Sequence, residues 1–300
     1  MLKVAWSPIY KYDLPEGHRF PMVKYELLPE QLLYEGTIRE EHLFQPAPLE
    51  ESVILKTHQE GYWRQLQDQS LGPKEVRRIG FPMTPRLVER GRHIARGTLD
   101  CARYAMQYGV ALNTAGGTHH AFADRGEGFC VFNDIAIAAT ELLDSEGLHR
   151  ILVVDLDVHQ GNGTAQIFQE ESRVFTFSMH GEKNYPLRKE RSDLDVGLPD
   201  GMTDGPYLAL LERHLETVFD AFGPELVFYL SGVDVLETDK LGRLGLSRQG
   251  CRRRDEMVLR SCHRHKVPVA VSMGGGYSHR LTDLIEAHAN TFRVAQEVFF

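Results

Sequence analysis

Three residues at alternate positions, Asp155, Asp157 and His159, follow an unbroken apolar run, Ile151-Leu152-Val153-Val154. While a chain stays extended, side chains two apart project to the same face. Two carboxylates and an imidazole gathered there are poor core filler, because charge is seldom buried unless it is paired or bound to metal. They suit a divalent cation. A hydrogen-bonded turn would also account for an Asp-x-His pair, and a zinc site needs three or four ligands. A further donor must come from elsewhere, and Asp239 in Glu237-Thr238-Asp239-Lys240 offers one. Asp157, His159 and Asp239 would leave coordination positions open for water and substrate, the pattern of a catalytic ion. Zinc is the first choice and iron(II) is compatible, since nitrogen and oxygen donors discriminate weakly between them. Water on such an ion ionises near pH ~7, which makes a nucleophile available.

A second group has the residue types that such a nucleophile needs. His119 and His120 sit in Gly116-Gly117-Thr118-His119-His120-Ala121, close to the apolar Phe129-Cys130-Val131-Phe132. A surface loop pair would need no partners, whereas a pair among buried residues does, and carboxylates supply them. One imidazole can take a proton from water and return it to a leaving group. Tyr277, on the turn Gly274-Gly275-Gly276-Tyr277, is placed to donate to a developing oxyanion. The set reads as metal-dependent hydrolysis of an amide or ester.

These residues need a frame. The run 151–154 reads as a buried parallel strand, and further strands are expected at 2–6, 53–55, 110–113, 174–178, 226–230 and 267–272. Helices are expected over 84–108, 133–146, 164–169, 204–222 and 247–265, and after Tyr277 to the end of the chain. Asn133 would cap the second of these. A short helix is expected at 22–28 and another near Glu60, which Thr57 would cap. The polar, turn-rich stretch 183–203 reads as a rim loop. His18 and Arg19 read as solvated or locally bonded, His58 as a packing residue, and Arg252-Arg253-Arg254 as a solvated helix face. Strand after strand ends in reactive residues: His119 and His120; Asp155, Asp157 and His159; Ser178; Asp239; Tyr277. A parallel α/β sheet with one active edge predicts that arrangement.

The totals fit one such domain over residues 1–300: 42% hydrophobic and 25% charged residues are ordinary for a soluble globular chain. A net charge of −8 argues against non-specific nucleic-acid binding. No run approaches a membrane span. The four cysteines, Cys101, Cys130, Cys251 and Cys262, form no C-x-x-C pair and suit a reducing cytoplasm.

Taken together and in order, THHA, GFCVFNDIAIA, VVDLDVHQGNGT, SGVDVLETDKLG and MGGGYS resemble the histone deacetylase superfamily. SPIYKYDLPEGHRFPM with DLDVHQGNGT looks most like its class IV branch and bacterial relatives. The resemblance implies an arginase-like α/β fold with a central parallel sheet of about eight strands and helices on both faces. It implies zinc-dependent deacylation of an acylated amine, an acyl-lysine peptide or a small molecule. By motif, Asp157, His159 and Asp239 would be the metal ligands, His120 the general base and acid, and His119 its electrostatic partner. Tyr277 would polarise the substrate carbonyl. Asp155 would pair with His119 and help to bind a structural potassium ion, together with Ser178 and backbone oxygens of Asp157, His159 and Met179. Gly128, Phe129, Tyr185 and Gly275 would line the acyl-lysine tunnel. Two departures stand out: Asn162 replaces the class I aspartate behind the second histidine, and Lys240 follows Asp239 where proline is common. Against acyl-lysine deacylation stand an acylpolyamine amidohydrolase and a non-catalytic acyl-amine binding protein. Oligomeric state is not legible.

Overall fold

The computed structural model describes residues 1–300. Eight strands are β1 (Lys3–Ala5), β2 (Leu43–Phe44), β3 (Val110–Asn113), β4 (Ile151–Asp155), β5 (Val174–Gly181), β6 (Leu194–Leu198), β7 (Leu226–Leu230) and β8 (Val269–Ser272). They form one sheet in the order β2-β1-β3-β8-β7-β4-β5-β6, and every pairing is parallel. Every residue of β3, β4, β7 and β8 is buried. Strands so fully buried must be covered on both faces, and helical crossovers do this in a parallel sheet. The helices are α1 (Lys24–Tyr34), α2 (Glu51–Ile54), α3 (Glu60–Gln67), α4 (Pro73–Ile79), α5 (Pro85–Tyr108), α6 (Asp134–Ser145), α7 (Asn162–Phe168), α8 (Asp204–Phe222), α9 (Arg248–His265) and α10 (Leu281–Phe299). Helix α5 packs on β1, β3 and β8 and against α6, while α8, α9, α10 and α1 pack side by side in turn. The fold is the arginase-like α/β architecture.

Strand order determines what the edge can assemble. The chain leaves β3 for β4, three places away, and later returns to fill the gap with β7 and β8. The loops after β3, β4, β7 and β8 therefore open side by side, beyond the carboxyl ends where open α/β sheets bind ligands.

Local chemistry explains most boundaries. Thr84 accepts from the Leu87 N–H and starts α5, Asn133 accepts from the Ala136 N–H and starts α6, and Ser247 accepts from the Gly250 N–H and starts α9. Four expectations need correction. Residues 53–55 are not a strand: a three-residue apolar run carries no period, and it closes helix α2 instead. The outer place beside β1 belongs to Leu43–Phe44. Stretch 183–203 is not all loop, because Leu194–Leu198 is the edge strand β6 with alternating burial. Thr57 caps nothing; Gln59 precedes α3 without a side-chain bond. The basic run on α9 is not one solvated face: Arg253 is exposed, Arg252 pairs with Glu297, and Arg254 is fully buried. No helix is long and apolar enough to cross a membrane, and all four cysteines are buried and unpaired.

Candidate active site

The loop after β3 delivers both histidines. Asp134, the first residue of α6, fixes that loop: its carboxylate accepts from the Gly117 and Thr118 N–H groups and from the Thr118 and Thr98 hydroxyls. Sequence reading passed over Asp134. A carboxylate inside the apolar FNDIAIA was the available signal, since a charge there must find partners. His119 Nδ1 lies 2.7 Å from Asp155 Oδ2, and His120 Nδ1 lies 2.6 Å from Asn162 Oδ1. Both rings are buried. Burial opposes charge on His119, yet the Asp155 carboxylate holds it above the ordinary imidazole range. His120 is pushed well below that range by burial and by the neighbouring imidazoles, His119 and His159. The two adjacent rings are thus set apart in basicity, with His120 the neutral one.

The loop after β4 brings Asp157 and His159, and β7 leads into Asp234. The donor atoms of these three buried residues lie within 4.8 Å of one another. His159 Nδ1 is 3.1 Å from both Asp157 Oδ1 and Asp234 Oδ2. Burial would discharge His159, but the two carboxylates raise it to about 10. Burial and the Asp157 charge raise Asp234 to about 7. Two buried carboxylates around one imidazole hold more negative charge than that ring offsets. A divalent cation relieves the excess, and the oxygen–nitrogen–oxygen donor set suits zinc.

Asp239, expected as the third donor, stands outside that group. Its Oδ1 accepts from the Leu241 and Gly242 N–H groups and its Oδ2 from the Tyr277 N–H at 2.6 Å. Those bonds turn the carboxylate toward its own loop and tie it to the loop after β8. Asp234 had been read only as the end of its strand. It is completely buried, whereas Asp239 is partly open.

Tyr277 is 8% exposed, and burial raises its phenol well above the usual value, so it remains a donor. Its ring meets those of Phe20, Phe129 and His159 at 5.7, 6.0 and 6.5 Å between centroids. Gly275 donates its N–H to Asp157 Oδ2 at 2.9 Å, and a side chain there would strike the Asp157 and Asp234 carboxylates. Gly128 has φ +53°, and a Cβ would collide with the His120 ring. Phe129 follows at φ +69°, a strained value for a bulky residue. Its N–H is held by the Ile79 carbonyl at 2.7 Å. Tyr185, 39% exposed, sets its ring edge-on to His120 at 4.9 Å and donates to Glu127 Oε2. Gly128, Phe129, Tyr185 and Tyr277 line a cleft that ends at His120 and His159.

Of the residues expected at a potassium ion, Asp155 and Ser178 are paired in register on β4 and β5. Asp155 Oδ1 accepts from the Asp157 N–H, the Ser178 hydroxyl is bonded to His180 Nδ1, and Met179 is fully buried. His18 and Arg19 fit the locally bonded and solvated reading, with further contacts besides. His18 Nδ1 accepts from the Phe20 N–H, its Nε2 is 3.0 Å from the Gly80 carbonyl, and the exposed Arg19 lies over the Phe129 ring. Sequence reading also missed Phe20 and Lys24. Lys24 is wholly buried, donates to the Gly274 carbonyl and lies over the Phe20, Tyr25 and Tyr277 rings. Burial lowers it to about 8.

Comparison with known proteins agrees with this geometry. A histone deacetylase domain is matched over residues 18–292. An uncharacterized protein of Picosynechococcus sp. is 46% identical over 99% of both chains. Histone deacetylase 2 of Arabidopsis thaliana is 32% identical, across 87% of this chain and 70% of that one. Among solved structures, an HDAC homolog complexed with SAHA superposes with TM-score 0.85 at 27% identity, covering 99% of this chain and 84% of the other. An HDAC homolog from Aquifex aeolicus gives 0.83 at 26%, covering 98% and 84%. A buried histidine pair, an acid–imidazole–acid group and a tyrosine on a glycine turn, on a fold and sequence shared with these proteins, make the chain a member of the histone deacetylase family and a hydrolase acting on amide bonds.

Proposed function

We propose that this chain is a zinc-dependent deacylase that cleaves the amide of an acylated amine, with acyl-lysine as the preferred class. The observation that carries the reading is the convergence of His119, His120, Asp157, His159 and Tyr277 on one pocket below a cleft lined by Gly128, Phe129 and Tyr185. Phe129 and Tyr185 suit an aliphatic stem, which packs along aromatic surface and carries the amide down to His120. Asp157, His159 and Asp234 would hold the ion, since their donor atoms lie within 4.8 Å of one another. Asp239, whose oxygens already accept three backbone N–H groups, would instead tie its loop to that of Tyr277. When bound, the ion supplies Lewis acidity and lowers the pKa of water. His120 is kept neutral by its surroundings, and its Nδ1–H donates to Asn162 Oδ1. That leaves Nε2 free to accept a proton from water and pass it to the departing amine. His119, tied to Asp155, carries positive charge beside it. The Tyr277 hydroxyl donates to the oxygen that becomes anionic, a contribution on the order of 10²–10³ in rate.

Asp155, Ser178 and backbone oxygens of Asp157, His159 and Met179 would hold a potassium ion that braces β4 against β5. The whole chain acts as one catalytic domain. Four buried thiols without a disulfide suit the cytoplasm, where we place it.

The test is hydrolysis of an acetyl-lysine peptide by zinc-loaded protein. Activity is expected to disappear on chelation and return with zinc, iron(II) being the second metal tried. Asp157→Ala is expected to lose both zinc, measured by elemental analysis, and turnover. Full turnover by a demonstrably metal-free variant would falsify the reading. A loaded protein that binds acyl amides and never cleaves them would favour the non-catalytic alternative.

A further inference from the structure

The mouth of the cleft has a charge opposite to the molecule's. The chain carries a net charge of −8. Yet Arg19, Arg78, Lys183 and Arg243 line the cleft above His120, and no Asp or Glu does. The nearest carboxylates only partly offset them. Glu127 lies 3.8 Å from Arg78 but also accepts from Arg125 and Tyr185. Asp200 serves both Arg243 at 3.4 Å and Lys183 at 4.0 Å. Arg19 makes no ion pair and rests over the Phe129 ring at 5.0 Å, at the tunnel wall itself. The side chains of Arg78, Lys183 and Arg243 keep 50%, 68% and 56% of their surface in solvent. Four cations around one concave opening focus a positive potential where a substrate must pass.

The geometry points to a substrate whose amine carrier presents a carboxylate at this mouth, a stem's length from the scissile amide. This inference rests on the deacylase reading above. In that reading the acyl group enters first and meets His120 and His159 at the bottom. The rim cations therefore face what lies beyond the amine nitrogen, not the acyl chain. A polyamine would bring ammonium groups to that place and be repelled. An acyl-lysine among acidic neighbours, or an acylated amino acid with a free α-carboxylate, would be attracted. Arg19 and Arg243 offer forked donors that suit carboxylate geometry.

The experiment compares kcat/KM of the zinc-loaded protein on acetyl-lysine peptides flanked by Glu, Gly or Arg. Further arms are Nα-benzoyl-Nε-acetyl-lysine, its amide, and acetylspermidine. Exposed ion pairs each change binding by roughly two- to fivefold, so acidic over basic flanks are expected to differ by about tenfold or more at low salt. The difference should appear mainly in KM and shrink in 0.5 M salt, where screening acts over a few ångströms. The free benzoyl acid outperforming its amide would identify a small carboxylate as sufficient, while a preference seen only in peptides would identify acidic sequence. Two variants carry opposite signs. Lys183→Glu with Arg243→Glu should abolish or invert the preference, and Asp200→Asn, which frees two cations, should enlarge it. Hydrolysis with equal or better rates on basic flanks, or on acetylspermidine, overturns the inference and leaves the deacylase reading intact. Hydrolysis of none of these amides removes that reading, and the inference with it.

Discussion

His120 and Asn162 are where this chain's chemistry is most open to adjustment. An amide oxygen accepts a hydrogen bond from the His120 Nδ1–H but adds no charge to steady an imidazolium. Asn162→Asp would place a carboxylate 2.6 Å from that nitrogen, at the first position of α7, where a negative charge is tolerated by the helix dipole. An opposite charge at that range raises an imidazole pKa by about one unit or more. A base works only when unprotonated, so the acidic limb of kcat/KM should move to higher pH by about that amount. An unmoved limb would show that His120 is not the group titrating there. Asp234 and Asp239 pose the other question at this scale. Asp234→Asn is expected to lower zinc content below one per chain and to remove most activity, because it takes one donor from the buried acid–imidazole–acid group. Asp239→Asn should retain zinc and lose activity less, because its carboxylate accepts from the Leu241, Gly242 and Tyr277 N–H groups and lies outside that group. Retention of zinc by Asp234→Asn with loss by Asp239→Asn would make Asp239 the ligand.

Elements show how much of this was legible in advance. A strand buried on both faces must be apolar along its length, so β4 and β7 stand out in the sequence, and the polar residues after them mark the sheet edge. The two histidines, Asp157, His159 and Tyr277 follow from that logic. Asp234 did not, because one acid after an apolar strand resembles any strand end until a neighbouring strand puts His159 against it. Strand β6 was hidden for a related reason. An edge strand has one solvated face, and its Leu194, Val196 and Leu198 alternate with Asp195 and Gly197 inside a polar stretch. His58 was read correctly as a packing residue, and its partner carries a consequence. Nε2 accepts from the Asn133 N–H at 3.0 Å, beside the Phe132 ring, at the start of α6. Burial lowers His58 from 6.5 to about 4. The unfolded chain therefore binds the extra proton between those values. Stability from His58 is complete above pH ~6.5 and is lost as pH falls through 4, on the order of 3 kcal/mol in all. Urea unfolding of the metal-free protein should show most of that loss between pH 7 and 4.5. His58→Gln, which can still accept from Asn133, should show less. Equal losses would mean that His58 is already charged in the folded state.

At the scale of the molecule, one ion pair joins the helical layer to the chemistry. Arg254 on α9 has no exposed surface, although it ends a basic triplet that reads as solvated. The helical repeat explains the mismatch: the residue beside it points outward, while Arg254 and the adjacent Asp255 both turn inward to the sheet edge. Its guanidinium donates to the carbonyls of Leu156, Ser231 and Gly232, the backbone immediately before Asp157 and Asp234. Asp255 neutralises it at 2.7 Å and also accepts from the hydroxyls of Tyr229 on β7 and Thr291 on α10. A lone charge left in that position is costly, and breaking such a buried pair takes away about 3–5 kcal/mol. Arg254→Met should lower the urea midpoint accordingly. Removing both charges is different, since an apolar pair can replace a buried ion pair with little loss. Arg254→Met with Asp255→Leu should therefore recover part of the stability, and the two single effects should not add. Activity should not recover with it. Three carbonyls would still lack their donor, and the loops that hold Asp157 and Asp234 would still be untethered, so zinc affinity and kcat should stay low in a well-folded double variant. Recovery of both together would mean that Arg254 serves the fold alone.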